Sequence, residues 1–418
     1  MFCDFFYPNM GGVENHLYQV ASCLVLRGHK VVIVTHSYGN REGVRYLSSG
    51  VKVYYLPHIP IILQNTLPSI LLTFPYFRCI LLREQIDIVH AHGAFSTFAL
   101  EALLHSGVMG YPSVFTDHSL FGFADASSIH MNKLLKIVFS NVSHVICVSN
   151  TSKENTVLRA QIHPSGVSVI PNAVDSSAFV PEPANRICGR LTIVVISRLV
   201  YRKGVDLLVD VIPEVCRRFP DVHWLIGGDG PKRLDLEEMR ERHQLHDRVE
   251  MLGNLKHDRA FCIAIVEAAS CGLLVVSTKV GGVPEVLPPH MLRLAEPKPS
   301  EIMEALVEVI PLARGRPAEA FYDFNAQIGK MYSWMNVTTR TERVYDSIAN
   351  TPIRSALDRM KRLHGTGWWC GKIMVTGWIV TFLLWMVFEY FYPSAEIDIA
   401  ATAPSRSDPR ATIKTKHD

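Results

Sequence analysis

Two cations that lie close together are the most specific chemical feature of this chain. They occur in Ser197-Arg198-Leu199-Val200-Tyr201-Arg202-Lys203-Gly204, directly after an apolar, β-branched run. Open α/β sheets bind their ligands at the carboxyl ends of the strands, which is where this segment would lie. Arg198 offers a planar fork of N–H donors and Lys203 a compact charge, a pair that suits a diphosphate. A solvated basic loop is the alternative interpretation.

A histidine and an acid are further candidates for chemistry. His118 follows the strand-like run 113–116. An imidazole at a strand end can donate to a developing negative charge or to a sugar hydroxyl. A packed structural histidine is equally compatible with this pattern. Glu267 lies on a predicted helix, 260–271, that follows the second group of strands.

The sequence predicts no metal site. His90 and His92 are two positions apart with no third ligand nearby in sequence, and no D-x-D motif is present to clamp a metal–diphosphate. The nine cysteines include no C-x-x-C pair, and several lie inside apolar runs. They are therefore interpreted as small buried hydrophobic residues in a reducing compartment.

Three glycine-rich turns are candidates for contact with phosphates. They are Gly11-Gly12, the turn Gly227-Gly228-Asp229-Gly230 and the pair Gly281-Gly282. Glycine allows a backbone to approach a phosphate closely, and helix N-termini offer free N–H donors. Each turn alone is weak, because ordinary strand–helix loops also use glycine. The phosphate-loop and dinucleotide patterns are absent, which disfavours kinases and dehydrogenases.

The elements that must position these residues are predicted to alternate between strands and helices along the chain. Buried strands are predicted at 31–35, 51–56, 86–90, 113–116, 144–148 and 167–170, and again at 192–196, 223–226, 249–252 and 274–277. Amphipathic stretches such as 13–27, 96–106 and 206–219 separate them. This alternation predicts two doubly wound α/β domains, residues 1–185 and 186–350, with a ligand cleft between them.

The C-terminal part predicts a membrane anchor. A basic segment, 351–366, precedes the apolar stretch 367–392, which is long enough to span a bilayer. The flanking charges predict cytosolic domains and a lumenal tail, 393–418. The N-terminus shows no signal peptide. The formal net charge of +3 gives no reason to expect a nucleic-acid partner.

In combination, these motifs resemble the retaining glycosyltransferases of family 4, which have the GT-B fold of two Rossmann-like domains. The matching residues are Gly11, Gly12, His118, Asn172, Arg198, Lys203, Gly228, Glu267, Gly281 and Gly282. The resemblance implies that Arg198 and Lys203 hold the donor diphosphate, that Glu267 binds the ribose and that His118 contacts the donor sugar. It also implies that the glycines and Asn172 line the donor site.

The closer likeness is to the members of that family that act on phosphatidylinositol. It rests on Asp4–Glu14, Phe115–Asp125, Val195–Gly204 and Val266–Gly272, read as continuous motifs. The likeness implies transfer of GlcNAc from UDP-GlcNAc to phosphatidylinositol, the first step of GPI-anchor synthesis. It further implies membership of a multisubunit membrane complex on the cytosolic face of the endoplasmic reticulum, with no metal and no other cofactor.

One departure from the family pattern concerns the first acid of the E-x7-E motif. Counting back from Glu267, that position is occupied by Arg259, which has no acceptor for a sugar hydroxyl. In close relatives a helix and a strand precede the motif, whereas here only Asn254-Leu255-Lys256-His257-Asp258 follows Gly253. A helix and a strand are therefore expected to be missing. Their loss would break the sheet or force the flanking strands together.

Three hypotheses remain open from the sequence. The chain is an active GlcNAc transferase to an inositol lipid, a catalytically impaired variant of such a protein, or a family 4 transferase with another lipid acceptor. The first strand is also expected to be short, because few residues precede Tyr7-Pro8. The apolar stretch 59–77 is a further hypothesis, either for a membrane-facing patch or for ordinary helix core.

Overall fold

The computed structural model describes residues 1–9, 11–58, 60–62, 64–66, 68–119, 126–187, 189–254 and 264–401. The chain forms two compact units. Unit 1 comprises Met1–Val148, Ser152–Ile170 and Val337–Asp418, and unit 2 comprises Ser149–Thr151 and Pro171–Asn336. Arg259, on which the predicted deletion depends, lies outside the described residues.

Unit 1 contains the first nine strands and most of the helices. Its strands are β1 (Val32–His36), β2 (Gly43–Tyr46), β3 (Lys52–Leu56), β4 (Pro60–Ile62), β5 (Asn65–Thr66), β6 (Val89–His92), β7 (Ser113–Asp117), β8 (His144–Cys147) and β9 (Val167–Val169). Its helices before the crossing to unit 2 are α1 (Gly12–Leu26), α2 (Ile70–Arg83), α3 (Thr97–Met109), α4 (Ala126–Phe139) and α5 (Asn150–Ala160). The two units divide α5 after Thr151.

The N-terminal segment joins the two halves of the unit 1 sheet. Strands β2, β3 and β1 form one half, in the order β1-β3-β2, and β6-β7-β8-β9 form the other. Phe2 bridges in parallel to Val34 on one side and to Ala91 on the other. The N-terminal strand, which the sequence predicted to be short, is reduced to the bridges of Phe2 and has a neighbour on both sides. Strands β1, β6 and β7 are buried along their whole length, as expected for parallel strands covered on both faces.

Unit 2 contains five strands and five helices among the described residues. The strands are β10 (Leu191–Ile196), β11 (Val222–Gly227), β12 (Val249–Gly253), β13 (Val275–Thr278) and β14 (Leu292–Ala295). The helices are α6 (Val205–Arg218), α7 (Arg233–Arg242), α8 (Ala264–Ser270), α9 (Pro299–Arg314) and α10 (Glu319–Met331). The helices that follow are α11 (Trp334–Ala349), α12 (Ala356–His364) and α13 (Trp368–Phe391).

The sheet of unit 2 is split. Strands β10-β11-β12 form one sheet and β13-β14 another. Among the described residues, β10 pairs only with β11, and β13 pairs only with β14. The periodicity of 249–252, 260–271 and 274–277 is compatible with one βαβ unit, but β12 and β13 lie in different sheets. The described strands thus form a broken sheet, which is one of the two outcomes expected from a deletion, and the deletion itself stays a prediction.

Strand β10 has more exposed apolar side chains than an interior strand would have. The first strand of a doubly wound sheet normally lies inside it, with a neighbour on each side. In β10, Val194 is 43% exposed and Ile196 is 47% exposed. Helix α9 packs on both sheets: its Met303 and Leu306 share a core with β10 and β11, against which Val276 of β13 also packs. The layers are thus retained, while one face of β10 is partly uncovered and one of its edges has no partner strand among the described residues.

The domain boundaries differ from those predicted. Unit 2 begins its main segment at Pro171, not near 186, and residues from Val337 onward return to unit 1. The return is made by α11, whose Tyr345 hydroxyl lies 2.6 Å from His90 Nδ1 and whose Arg340 donates to the Val169 carbonyl. Periodicity could not reveal this return, because α11 reads as one more amphipathic helix.

Helix α13 confirms the predicted apolar segment: its length and composition are sufficient to cross a membrane. Trp378 packs in a cluster with Val108, Ile137 and Leu363 of unit 1. At its far end, the buried Arg78 of α2 pairs with Glu389 at 2.6 Å. The middle and the C-terminal end of α13 thus contact other parts of unit 1. The lumenal side of the tail stays a prediction.

The predicted apolar stretch 59–77 includes the first half of α2, which agrees only in part with the hypothesis of a membrane-facing patch. Leu71 and Leu72 are exposed, whereas Phe74 and Phe77 are fully buried. Phe74 packs edge-on against His105 and lies near Phe388 of α13. Only one face of α2 is therefore available to a membrane. Ile59, Leu63 and Leu67 lie outside the described residues.

Candidate functional site

The candidate residues of unit 1 include a cluster of histidines near the carboxyl ends of its strands. His118 follows β7, His92 ends β6, and His16 lies on α1. The ring centroids of His16 and His118 are 4.7 Å apart, and those of His92 and His118 are 5.8 Å apart. The predicted site residue His118 is thus brought together with two histidines from distant segments.

Burial favours the neutral forms of His118, His92 and His90 by lowering their pKa values. Loss of solvation lowers the pKa of His118 well below its usual value, and the neighbouring His16 and His90 lower it further. The pKa values of His90 and His92 are lowered in the same way. A neutral imidazole can still donate one hydrogen bond. His118 is therefore suited to polarising or binding a hydroxyl, not to carrying a permanent charge.

His90 lies beneath the cluster and has a different role. Its Nδ1 contacts the Tyr345 hydroxyl at 2.6 Å and its Nε2 contacts Thr116 Oγ1 at 2.7 Å. The ring centroids of His90 and His92 are 4.0 Å apart. Both nitrogens of His90 are engaged, so we assign it a positioning role beneath His92.

Gly11 and Gly12 lie at the start of α1. Gly11 is its extended N-cap and Gly12 its first residue. A Cβ on Gly11 would lie 2.2 Å from Glu14 Oε2, so the absence of a side chain lets Glu14 fold back over the helix start. Burial raises the pKa of Glu14. The carboxylate of Glu14, in the first turn of α1, therefore lies close to the N-terminus of the same helix.

Asp4 is a buried residue whose role the sequence did not indicate. Its carboxylate accepts hydrogen bonds from Ser96 Oγ at 2.7 Å and from the Phe98 amide at 2.9 Å. It also accepts from the Thr66 hydroxyl and amide. Asp4 thereby ties the N-terminal segment to α3 and β5. The partners come from separate segments, which no local pattern could have identified.

We expect Asp4→Ala to destabilise unit 1 by about 3 kcal/mol, because it leaves several buried donors without an acceptor. Urea unfolding of the detergent-solubilised chain, followed by tryptophan fluorescence and circular dichroism, measures this loss. The matched control is Asp87→Ala, an exposed acid of the same unit, with an expected change within about 0.5 kcal/mol. Equal effects of the two substitutions would contradict the assigned role of Asp4.

The candidate cations of unit 2 follow β10. Arg198 and Lys203 are both exposed, and neither side chain forms an ion pair or hydrogen bond with any residue that the structure describes. Gly204 adopts φ +71° and connects the short turn Tyr201–Lys203 to α6. The chain therefore presents two uncompensated cations at the carboxyl end of a parallel strand, as the sequence predicted.

Gly228 is required by close packing against this segment. A Cβ there would lie 1.9 Å from the Ser197 carbonyl oxygen, and its φ of +129° also favours glycine. The Leu199 amide donates to the Asp229 carbonyl at 2.9 Å. The turn after β11 thus supports the segment that carries Arg198. This packing explains the glycine without reference to a ligand.

The remaining predicted residues lie elsewhere in unit 2. Gly281, with φ +51°, follows β13, and a Cβ on Gly282 would lie 3.0 Å from Ser149 Oγ. Glu285, which the sequence did not single out, accepts from the amides of Asn150 and Thr151. Asn172 Oδ1 is buried without a partner among the described residues. Glu267 is half-buried on α8.

Comparisons with known proteins agree on one family. A family model described as PIGA (GPI anchor biosynthesis) matches residues 36–125, and one described as glycosyl transferases group 1 matches residues 182–260. Among solved structures, a glycosyltransferase from Rickettsia africae matches with a TM-score of 0.65 at 17% identity, over 84% of this chain and 98% of its own. Anabaena HepE in complex with UDP matches with a TM-score of 0.62 at 18% identity, over 83% and 99%. These likenesses establish the GT-B fold.

Relatives that align over most of their length have a higher sequence identity to this chain. The PIG-A subunit of phosphatidylinositol N-acetylglucosaminyltransferase from Arabidopsis thaliana is 51% identical, over 96% of this chain and 93% of its own. Its Homo sapiens namesake is 50% identical, over 97% and 88%, and the Schizosaccharomyces pombe gpi3 subunit is 48% identical, over 96% and 91%. The human alignment spans 430 positions, more than the 418 residues of this chain, so the human protein has residues that this chain lacks. The chain belongs to the PIG-A family of phosphatidylinositol N-acetylglucosaminyltransferase subunits, within the GT-B glycosyltransferases.

Proposed function

We propose that this lineage transfers GlcNAc from UDP-GlcNAc to phosphatidylinositol at the endoplasmic reticulum membrane, with retention of configuration. The observation that carries the proposal is the pair of cations Arg198 and Lys203 after β10, neither of which has a partner among the described residues. They occur in a chain that is 51% identical to the Arabidopsis transferase subunit. The protein would act together with the other members of the transferase complex, and the two units would lie on the cytosolic side.

The proposed chemistry uses side chains in place of a metal. As the bond between the sugar and UDP breaks, negative charge develops on the leaving diphosphate, and Arg198 and Lys203 stabilise it. An inositol hydroxyl attacks the anomeric carbon from the side on which UDP leaves, and its proton passes to the leaving phosphate oxygen. Neutral His118 donates to the donor sugar, and Glu267 accepts from the ribose hydroxyls. The glycines and Asn172 would line the donor.

A second candidate is a catalytically impaired form of the transferase, and the split sheet favours it. Strand β10 carries Arg198 at its end but lacks a neighbour on one side among the described residues. The group 1 glycosyltransferase match also stops at residue 260, next to the junction at which the segment is expected to be missing. A displacement of about 1 Å can cost on the order of 10²-fold in rate, so a displaced Glu267 would suffice.

Donor and acceptor specificity test the proposed function. Microsomes from cells without an endogenous PIG-A protein would be supplied with this chain, or with the chain carrying the missing segment, and incubated with labelled UDP-sugars and lipids. The proposal expects labelled GlcNAc on phosphatidylinositol, and none from UDP-glucose. A product formed only on a polyprenyl phosphate or on another lipid would support the third hypothesis, a different acceptor.

Membrane attachment is expected to depend on α13. The helix exposes large apolar side chains along one side, including Leu383, Met386 and Val387. We expect that deletion of residues 368–401 releases the protein into the supernatant of an alkaline carbonate wash, whereas the full chain remains in the pellet. A matched control replaces the exposed Leu71 and Leu72 of α2 with Ser. Retention of the deleted chain in the pellet would show that another surface anchors it.

A further inference from the structure

Three histidines from distant segments converge in unit 1. His16 comes from α1, His92 from the end of β6 and His118 from the residue after β7. One ring nitrogen of each lies within 4.8 Å of the corresponding nitrogens of the other two. The sequence predicted no metal site at His90 and His92, because no third ligand lies nearby in sequence. In the folded chain, His16 and His118 lie close to His92.

The ring nitrogens of this cluster include several without a partner. Both nitrogens of His92 and Nε2 of His118 are buried and form no hydrogen bond with a residue that the structure describes. Buried polar atoms are normally satisfied, so such atoms call for an explanation. An ordered water could satisfy one nitrogen, but converging nitrogens on three rings are also the donor set of a metal centre.

We propose that His16, His92 and His118 form a binding site for a divalent cation of the zinc class. Imidazole nitrogen suits Zn²⁺ and Co²⁺, whereas Mg²⁺ and Ca²⁺ require oxygen ligands. Three histidines leave one tetrahedral position open, as in other three-histidine zinc sites. The proposal concerns binding, and it does not depend on the proposed transferase function.

The geometry is close to what such an ion requires. Zn–N bonds of about 2.0–2.1 Å in a tetrahedral site place the nitrogens about 3.3 Å apart. The nitrogens lie within 4.8 Å of one another, so rotation of the rings would have to bring them closer by up to about 1.5 Å.

Occupation of this site would have one functional consequence. The nitrogen of His118 that binds the cation is no longer available to a substrate hydroxyl. Zn²⁺ would therefore inhibit sugar transfer, and a chelator would restore it. This consequence rests on the proposed function, whereas the binding itself is measurable in a chain without any activity.

The test is a titration of the chelator-treated full chain in detergent with Co²⁺, followed by visible absorption. We expect one equivalent of tetrahedral Co²⁺ without a thiolate charge-transfer band, displaced by Zn²⁺ and unaffected by excess Mg²⁺. His16→Ala and His92→Ala should each weaken binding by at least about 10-fold, since loss of even an outer-sphere partner costs that much. The control is His144→Ala, which removes a histidine of β8 paired with Ser168 and should leave binding unchanged.

Several results would overturn the proposal. They are the absence of tetrahedral absorption, a thiolate band that assigns the ion to a cysteine, and binding that survives both His16→Ala and His92→Ala. Should one substitution prevent folding, as judged by circular dichroism, the other carries the test. His118→Asn is a third variant, because His118 is less buried than its partners.

Discussion

Insertion of the helix and strand that are expected to be missing between Asp258 and Arg259 will raise the rate of GlcNAc transfer at least about 100-fold over that of this chain. The inserted segment is the corresponding part of the Arabidopsis or human relative. The physical reason lies in β10, which has no partner strand on one edge among the described residues and exposes Val194 and Ile196 on one face. A new neighbour would join β10 to β13 in one sheet and restore the position of Glu267 relative to Arg198.

The measurement compares initial rates in microsomes without an endogenous PIG-A protein, with equal amounts of each chain determined by immunoblot. A control insert of the same length, made of Gly and Ser, separates the effect of structure from that of spacing and should give no gain. If this chain without any insert already transfers at the rate of the restored chain, the split sheet has no catalytic consequence.

Arg198→Ala, made in the restored chain, will lower kcat by about 10²- to 10³-fold, the effect of removing one preorganised donor from a developing anion. Arg198→Lys should recover part of the loss, because it keeps the charge without the bidentate fork. The main effect should appear in kcat, since the charge on the leaving diphosphate grows only in the transition state.

The matched control is Arg217→Ala in the same unit. Arg217 is an exposed residue of α6 that pairs with Glu214 one turn earlier, and pairs of this kind contribute little to stability. We expect less than about 2-fold change in kcat, consistent with a surface substitution. A similar loss from both substitutions would point to a general effect of basic charge, and not to a diphosphate site after β10.

The sequence predicted what depends on local pattern. Strands such as β7 and β11 and helices such as α1 and α6 lie within a few residues of their predicted positions. The placement of Arg198 and Lys203 at a strand end followed from the same rhythm, because parallel strands direct their carboxyl ends to one edge. These features need no knowledge of distant contacts.

Other features depended on contacts between remote segments. The histidine cluster combines α1, β6 and the residue after β7, and the partners of Asp4 come from β5 and α3. The return of α11 to unit 1 rests on contacts such as that of Tyr345 with His90. The split sheet was expected only from the family resemblance. Periodicity alone had suggested an intact βαβ unit across Gly253.

The affinity for UDP tests the central claim most directly, namely that the donor site follows β10 and that the split sheet weakens it. Isothermal titration calorimetry would compare this chain, the restored chain and restored Arg198→Ala in the same detergent. We expect the restored chain to bind UDP at least about 10-fold more tightly than either of the others, a difference of about 1.4 kcal/mol. Equal affinities of all three proteins for UDP would contradict the account.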